Sequence, residues 1–290
     1  MTTRVVCWNI AGRKKPWEQL REMDADVALL QEARTSHLRQ EPEIPEGHWN
    51  SHWWNSDWYK RYWSRLFDVW PAVVRLSTRV EVDWFVQVSP INETLHNWFA
   101  VSGVGTVAAA RVRPRDPNVE PFVVVSMYAR WIGPHPSTGS KMKVGYPDGS
   151  AHRIISDLSA FIGNVDPSSH RILAAGDLNT VYGAEDTRDW TTTRDRTIWD
   201  RMDALGLEFL GPQAPNGRQA EPVPDYISPD TKNVVTCYTT HEGDAAKATK
   251  QLDYVFASRG FHEQIRTRAL NSMEEWGASD HCRLLIEVNG

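Results

Sequence analysis

Five short apolar runs, each ending in polar residues or leading straight into them, are spread along the whole chain and constrain its fold more than any other feature. They are Val5-Val6-Cys7-Trp8-Asn9, Val27-Ala28-Leu29-Leu30-Gln31-Glu32, Val123-Val124-Val125-Ser126-Met127-Tyr128, Ile172-Leu173-Ala174-Ala175-Gly176-Asp177-Leu178-Asn179 and Leu252-Asp253-Tyr254-Val255-Phe256, with Ser279-Asp280-His281 near the end. Runs rich in Val, Ile and Leu and bounded by polar residues read as buried strands. Strand ends are where a rigid sheet holds chemical groups in fixed positions. Carboxylates, carboxamides and a histidine at successive strand ends therefore point to one shared site.

A site drawing on both ends of the chain requires both ends in one fold, so residues 1–290 are expected to form a single domain. Between the motifs, Lys15 to Asp24 reads as a short amphipathic helix, giving a strand-helix-strand opening. Residues 36–70 form a Pro-interrupted, Trp-dense insertion. Val73–Leu76, Val80–Val88, Gly105–Val112 and Phe122–Tyr128 read as successive strands. Ser150 is the expected N-cap of a helix carrying Ile154, Ile155, Leu158, Phe161 and Ile162. Residues 211–233 read as a long surface loop followed by two final strands. Consecutive strands are often joined without a helix, which argues for an α/β chain with mixed rather than purely parallel sheets.

The net charge is −5, so no global basic field draws the protein to nucleic acid, although a bound metal can supply local positive charge. Three cysteines lack metal-ligand spacing, and the first residues lead directly into a strand, which predicts a reducing, cytoplasmic setting. No apolar run approaches the ~20 residues required to span a bilayer. No membrane association and no obligate protein partner are expected.

The ordered set of Trp-Asn-Ile at residues 8–10, Leu-Gln-Glu at 30–32, Gly-Asp-Leu-Asn at 176–179, Leu-Asp-Tyr-Val at 252–255 and Ser-Asp-His at 279–281 resembles the endonuclease/exonuclease/phosphatase superfamily. That superfamily includes deoxyribonuclease I, exonuclease III, apurinic and retrotransposon endonucleases, sphingomyelinases and inositol polyphosphate phosphatases. The resemblance runs from Asn9 to His281 and implies a four-layer α-β-β-α sandwich of two packed mixed sheets, with nucleic acid as the substrate. It also implies a Mg²⁺ cofactor, for which Mn²⁺ can substitute. Glu32 would be the principal metal ligand, with Asn9 and Asp280 as direct or water-mediated ligands. Asp177 would orient and deprotonate the attacking water and Asn179 would position it. His281 would bond a phosphate oxygen, Asp253 would hold its imidazole, and Tyr128 would contact the phosphate.

These residue types suit the chemistry. A phosphodiester repels nucleophiles, so its hydrolysis requires a cation on the phosphate and an activated water. A carboxylate supplies the hard oxygen that Mg²⁺ prefers. Asp177 and Asn179 lie two apart and would share a face on an extended segment. Blander readings exist: Asn9 could end a strand in an Asx-turn, Asp253 could be a surface residue, and Cys282 beside His281 reads as inert core rather than a thiol nucleophile.

The tyrosine at the end of the Val-rich strand resembles the apurinic and retrotransposon endonucleases, whereas Ile10-Ala11-Gly12-Arg13 departs from the pattern expected of the former. A nuclease is the leading reading. A phosphodiesterase or phosphatase on a small or lipid-headgroup ester suits the acidic charge, and a non-catalytic binding module is the third reading. Trp58, Arg61 and Trp63 in the insertion, with Arg130 and His135, are candidate substrate contacts, because aromatic faces stack on bases and arginine bonds phosphate. The alternative assigns those aromatics to core.

Overall fold

The computed structural model describes residues 2–50, 68–89, 95–103, 105–130, 147–162, 169–184, 193–239 and 241–290, with 137 and 166. The elements run β1 Thr2–Asn9, α1 Lys15–Glu22, β2 Val27–Arg34, α2 Thr35–Leu38, α3 Glu46–Trp49, β3 Val69–Arg75, β4 Val80–Trp84, β5 Val86–Val88, β6 Trp98–Ala100, β7 Val107–Pro114 and β8 Phe122–Tyr128. They continue with α4 Pro147–Leu158, β9 Ile172–Asp177, α5 Thr193–Ala204, β10 Leu207–Gly211, β11 Asp253–Ser258, β12 Ile265–Leu270 and β13 Arg283–Asn289. One sheet has the order β12-β13-β1-β2-β3 and the other β10-β11-β9-β8-β7-β4, while β5 and β6 pair separately.

Strand alternation explains the layers. On β1, Val5 and Cys7 join Val27, Leu29 and Val73 in a core that also takes Val112, Val124, Leu173, Ala175 and Val255 from the second sheet. The intervening Val6 and Trp8 face outward with Ala28, Leu30 and Ala72 onto Trp17 and Leu20 of α1 and Leu38 of α2. On the second sheet, Val125, Met127, Ile172 and Ala174 face outward onto Ile154, Ile155 and Leu158 of α4 and Ile198 and Met202 of α5. Strands that are apolar on both faces, with period two on each, require a cover on both sides. The outcome is the expected α-β-β-α sandwich.

Both sheets are mixed: β1 pairs β2 in parallel across the α1 crossover, β8 pairs β9 in parallel, and their other neighbours are antiparallel. Because both faces of β9 are apolar, hydrophobicity alone does not fix its register. Gly176 contributes: a Cβ there would lie 1.8 Å from the carbonyl oxygen of Met127, so only glycine fits beside β8 at this position. That register sets Tyr128 opposite Asp177, and Asp177 opposite Asp253, in one row across three strands.

Several boundaries differ from the expectations. The helix begins before Ser150, which is interior and donates from Oγ to the Arg130 carbonyl at 2.6 Å instead of capping. The expected Val80–Val88 strand breaks at Phe85 into β4 and β5, which belong to different sheets. Three strands rather than two follow the 211–233 segment. The 36–70 insertion contributes α2, α3 and the start of β3, where Trp49 and Trp70 are buried with ring centroids 5.8 Å apart. The Trp-dense centre of the insertion, with Trp58, Arg61 and Trp63, lies outside the described residues, as does His135. Among the described residues no helix is long and apolar enough to cross a membrane.

Candidate active site

The cross-strand row supplies one half of the site. Asp177 and Asp253 are each 1% exposed. Two donors serve Asp177 Oδ2, the carboxamide of Asn9 at 2.9 Å and that of Asn179 at 3.1 Å, while the Asn179 backbone N–H reaches Oδ1 at 2.8 Å. Asn179 has φ +51°, so it turns back toward Asp177 from a left-handed conformation rather than sharing a strand face with it. Its Nδ2 also donates to the Ala129 carbonyl at 3.1 Å, which fixes the amide.

His281 stands over this row. Its Nδ1 is 2.8 Å from Asp253 Oδ2 and its Nε2 is 3.9 Å from Asp177 Oδ2. Its backbone carbonyl accepts from Trp8 Nε1 at 2.8 Å, which ties the segment before β13 to β1. Burial opposes a charged imidazole here. The surrounding Asp253, Cys237 and Asp177 outweigh it and hold the His281 pKa well above its usual value. Burial pushes the Asp177 carboxyl up to about 7, with His281 pulling the other way. A proton donor and a carboxylate able to accept a proton near neutrality thus sit side by side.

The other half rests on the first sheet. Glu32 has φ +54° at an irregularity in the pairing of β2 with β3 between Leu30 and Ala33. A non-glycine residue in that region carries about 1–3 kcal/mol of strain, which persists only where the surroundings impose it. Glu32 Oε1 accepts from Tyr128 Oη at 2.9 Å and from Asn9 Nδ2 at 3.3 Å. Asn9 Oδ1 accepts from the Ala11 N–H at 3.0 Å, an Asx-turn that orients the amide so that Nδ2 bridges Glu32 and Asp177. The Asn9 carbonyl accepts from Ser279 Oγ at 2.7 Å, and that hydroxyl lies 3.1 Å from Asp280 Oδ1. Asp280 also lies 3.8 Å from Arg13.

Beneath Glu32, Gln31 is fully buried. It donates to Ser126 Oγ at 2.9 Å, and Ser126 donates to the Leu30 carbonyl at 2.6 Å. This polar tie joins the two sheets directly below the site. Gln31 and Ser126 were legible only as polar residues inside otherwise apolar runs, a signal that identifies no role. Arg130, expected to contact substrate, is 8% exposed and lies between the Trp70 and Tyr128 rings. Trp70 comes from β3, far away in sequence, and it covers the guanidinium. Cys282 is fully buried and burial raises its thiol pKa well above the usual value, so it is not a thiolate nucleophile.

Among the described residues, two groups have donors suited to a cation. Asp177, Asp253 and His281 have ligating atoms within 4.8 Å of one another. His281 Nδ1 is engaged by Asp253, which leaves only Nε2 toward a cation, and the surrounding carboxylates favour the protonated imidazole over the neutral form that metals bind. Glu32 offers hard oxygen donors in a half-buried position. Among the described residues both of its bonds fall on Oε1, and Asp280 is joined to it through Ser279 and Asn9. The Glu32 side fits Mg²⁺ or Mn²⁺ better.

The chain is similar in structure to an AP endonuclease from Leishmania major, with 16% identity, a TM-score of 0.59 and coverage of 100% of this chain and 88% of that one. It is also similar to the APE2 catalytic domain from Xenopus laevis, with 19% identity, a TM-score of 0.59 and coverage of 99% and 94%. A third similar structure is the endonuclease domain of TRAS1, a telomere-specific non-LTR retrotransposon, with 14% identity, a TM-score of 0.57 and coverage of 100% and 99%. At these identities the likeness concerns the fold. No curated protein sequence matches the chain. The model of the Endonuclease/Exonuclease/phosphatase family matches residues 6–281, nearly the whole chain. The chain therefore belongs to the endonuclease/exonuclease/phosphatase family, hydrolases of phosphate esters.

Proposed function

We propose that the protein is a Mg²⁺-dependent phosphodiester hydrolase that cleaves nucleic acid as a single domain, in a reducing compartment such as the cytoplasm. The observation that carries this reading is the Asn9 carboxamide, which bonds Glu32 on one side and Asp177 on the other. It holds a carboxylate suited to a cation beside a carboxylate suited to a water, at a separation one amide can span.

Glu32 would hold the metal, with Asp280 contributing directly or through water. A bound divalent cation would withdraw charge from a phosphate oxygen and stabilise the leaving oxygen. Asp177, held by Asn9 and Asn179, takes the proton from the attacking water, for which a pKa near neutrality is well matched. His281 uses Nδ1 on Asp253, leaving Nε2 to donate to a non-bridging phosphate oxygen. Tyr128 keeps its proton, because burial first and then the Glu32 charge raise its pKa well above the ordinary value.

A polyanionic substrate is supported by the exposed cations Arg13, Lys14, Lys15 and Arg34 around the loop that follows Asn9. Arg34 and Lys14 lie close enough to His37 that, after burial, their charges depress its pKa, while Lys14 also faces Glu18 and Arg13 faces Asp280. This local positive rim sets the site apart from a chain of net charge −5. The net charge itself favours the second reading, a small phosphate ester as substrate.

The test is turnover of plasmid, single-stranded DNA, RNA and bis-p-nitrophenyl phosphate with Mg²⁺ or Mn²⁺ and with chelator, for the native protein and Glu32→Gln. Polymer cleavage should vanish with chelator, and Glu32→Gln should need at least roughly tenfold more metal. Full activity of the Gln variant at limiting metal would remove Glu32 from the site. Turnover of the small ester alone would move the substrate to the second reading.

A further inference from the structure

Arg130 is a cation placed where charge is costly. It follows β8 by two residues, and its guanidinium carbon lies 5.3 Å from the Tyr128 ring centroid and 5.6 Å from that of Trp70. Its Nε donates to the Gly105 carbonyl at 2.9 Å and its Nη2 donates to the Val69 carbonyl. Its own carbonyl takes the Ser150 hydroxyl at 2.6 Å. One residue thus ties the start of β3, the approach to β7, the end of β8 and helix α4. Gly105 is shaped around it: the residue has φ +59°, and a Cβ would stand 2.5 Å from Arg130 Nη2.

The group under this guanidinium is the tyrosine whose hydroxyl donates to Glu32 Oε1 at 2.9 Å. A planar guanidinium on an aromatic face is attracted by the ring and, with its fork pinned to two carbonyls, also fixes the ring's position. The Tyr128 backbone N–H is anchored separately, on the Thr106 carbonyl at 2.8 Å. Backbone and ring are therefore both fixed, and the hydroxyl has one place to go. Burial lowers the Arg130 pKa, and Tyr128 and then the Glu32 carboxylate beyond the ring oppose that shift.

We propose that Arg130 is a positioning residue for the metal site: it holds the Tyr128 hydroxyl on Glu32 Oε1 and thereby presents Oε2 to the cation. This rests on the reading of Glu32 as the cation ligand. Arg130 touches neither substrate nor metal and acts through the tyrosine. Lysine in its place keeps the charge but loses the planar face and the fork. Alanine at 105 keeps the arginine and displaces it.

The measurement is Mn²⁺ binding to the substrate-free protein, read by the electron paramagnetic resonance of free Mn²⁺, with the melting temperature recorded alongside. Arg130→Lys and Gly105→Ala should each weaken Mn²⁺ binding roughly tenfold, as losses from the supporting shell of a metal site commonly do. Tyr128→Phe should do the same, and Arg130→Lys added to Tyr128→Phe should weaken binding no further, because both act through one hydroxyl. An Arg130→Lys protein with a lower melting temperature but native Mn²⁺ affinity would overturn the proposal, as would additive losses in the double variant. If Arg130→Lys does not fold, Gly105→Ala carries the same comparison. Glu32→Gln separates the two levels: native Mn²⁺ affinity in that variant removes the ligand reading itself. Loss of binding in Glu32→Gln with none in Arg130→Lys or Gly105→Ala removes only the role of Arg130.

Discussion

The two halves of the site are built by different means. Asp177, Asp253 and Tyr128 lie in a row because three strands are in register, and His281 closes over two of them in almost complete burial. Glu32 is presented by a left-handed residue at an interrupted pairing and stays half-buried, and Asp280 near it is also partly open. Burial is what a proton-handling pair needs, since it raises the carboxyl and strengthens each charge on its neighbour. Partial exposure is what a hydrated divalent cation needs, since Mg²⁺ keeps several waters and must be reached by substrate oxygens. Among the described residues, Asn9 is the one side chain bonded to both carboxylates.

On this division, the largest effect belongs to the buried half. Asp177→Asn keeps the shape and most hydrogen bonds but cannot accept a proton, so kcat should fall roughly 10²–10⁴-fold. Mn²⁺ affinity of the substrate-free variant should stay near native. A variant that keeps its rate, or loses metal affinity in place of rate, would break the assignment of base to one side and cation to the other.

Asp253 and His281 sharpen the same half. Both are proposed to act through one imidazole, so in a cycle of His281→Ala and Asp253→Ala the losses in kcat/KM should fail to add by about 1–3 kcal/mol. Additive losses would separate them. His281→Ala leaves in place the backbone carbonyl that Trp8 bonds, so the anchoring of this segment to β1 survives the substitution.

The buried half was the more legible in sequence, for a physical reason. A register-built row comes from apolar runs bounded by polar residues: Tyr128 and Asp177 close such runs, and Asp253 opens the antiparallel one beside them. The strain at Glu32 left no sequence mark, nor did the left-handed turn that brings Asn179 back, where strand alternation predicts the right neighbour for a different cause. The burial of Arg130 was not legible because its cover, Trp70, lies on a strand far upstream. Helix α5 was missed because its polar stretch contains few buried apolar residues, such as Ile198 and Met202, and β12 because Arg266 and Arg268 break its apolar pattern at an edge.

The smallest expected effect contrasts His281 with a second buried histidine. His48 is fully buried and has no carboxylate hydrogen-bonded to it among the described residues: its Nδ1 donates to the Phe85 carbonyl at 3.1 Å and its Nε2 accepts from the Val73 N–H at 3.0 Å. Burial therefore lowers its pKa to about 4, opposite to the shift at His281. The folded state holds His48 neutral, while the unfolded chain takes up a proton near pH 6.5. The stabilisation is complete above pH 6.5 and is lost as pH falls toward 4, by up to about 3 kcal/mol. Asp157, which burial raises to about 6, and Asp177 titrate in the same window with the opposite sign, so the absolute curve does not isolate His48. The difference between native and His48→Gln unfolding free energies does. The variant should be about 1–3 kcal/mol less stable at pH 7.5, where the Val73 and Phe85 groups lose their partner. That gap should narrow steadily from pH 6.5 to 4, and a gap independent of pH would mean that His48 carries its proton in the fold, as His281 does.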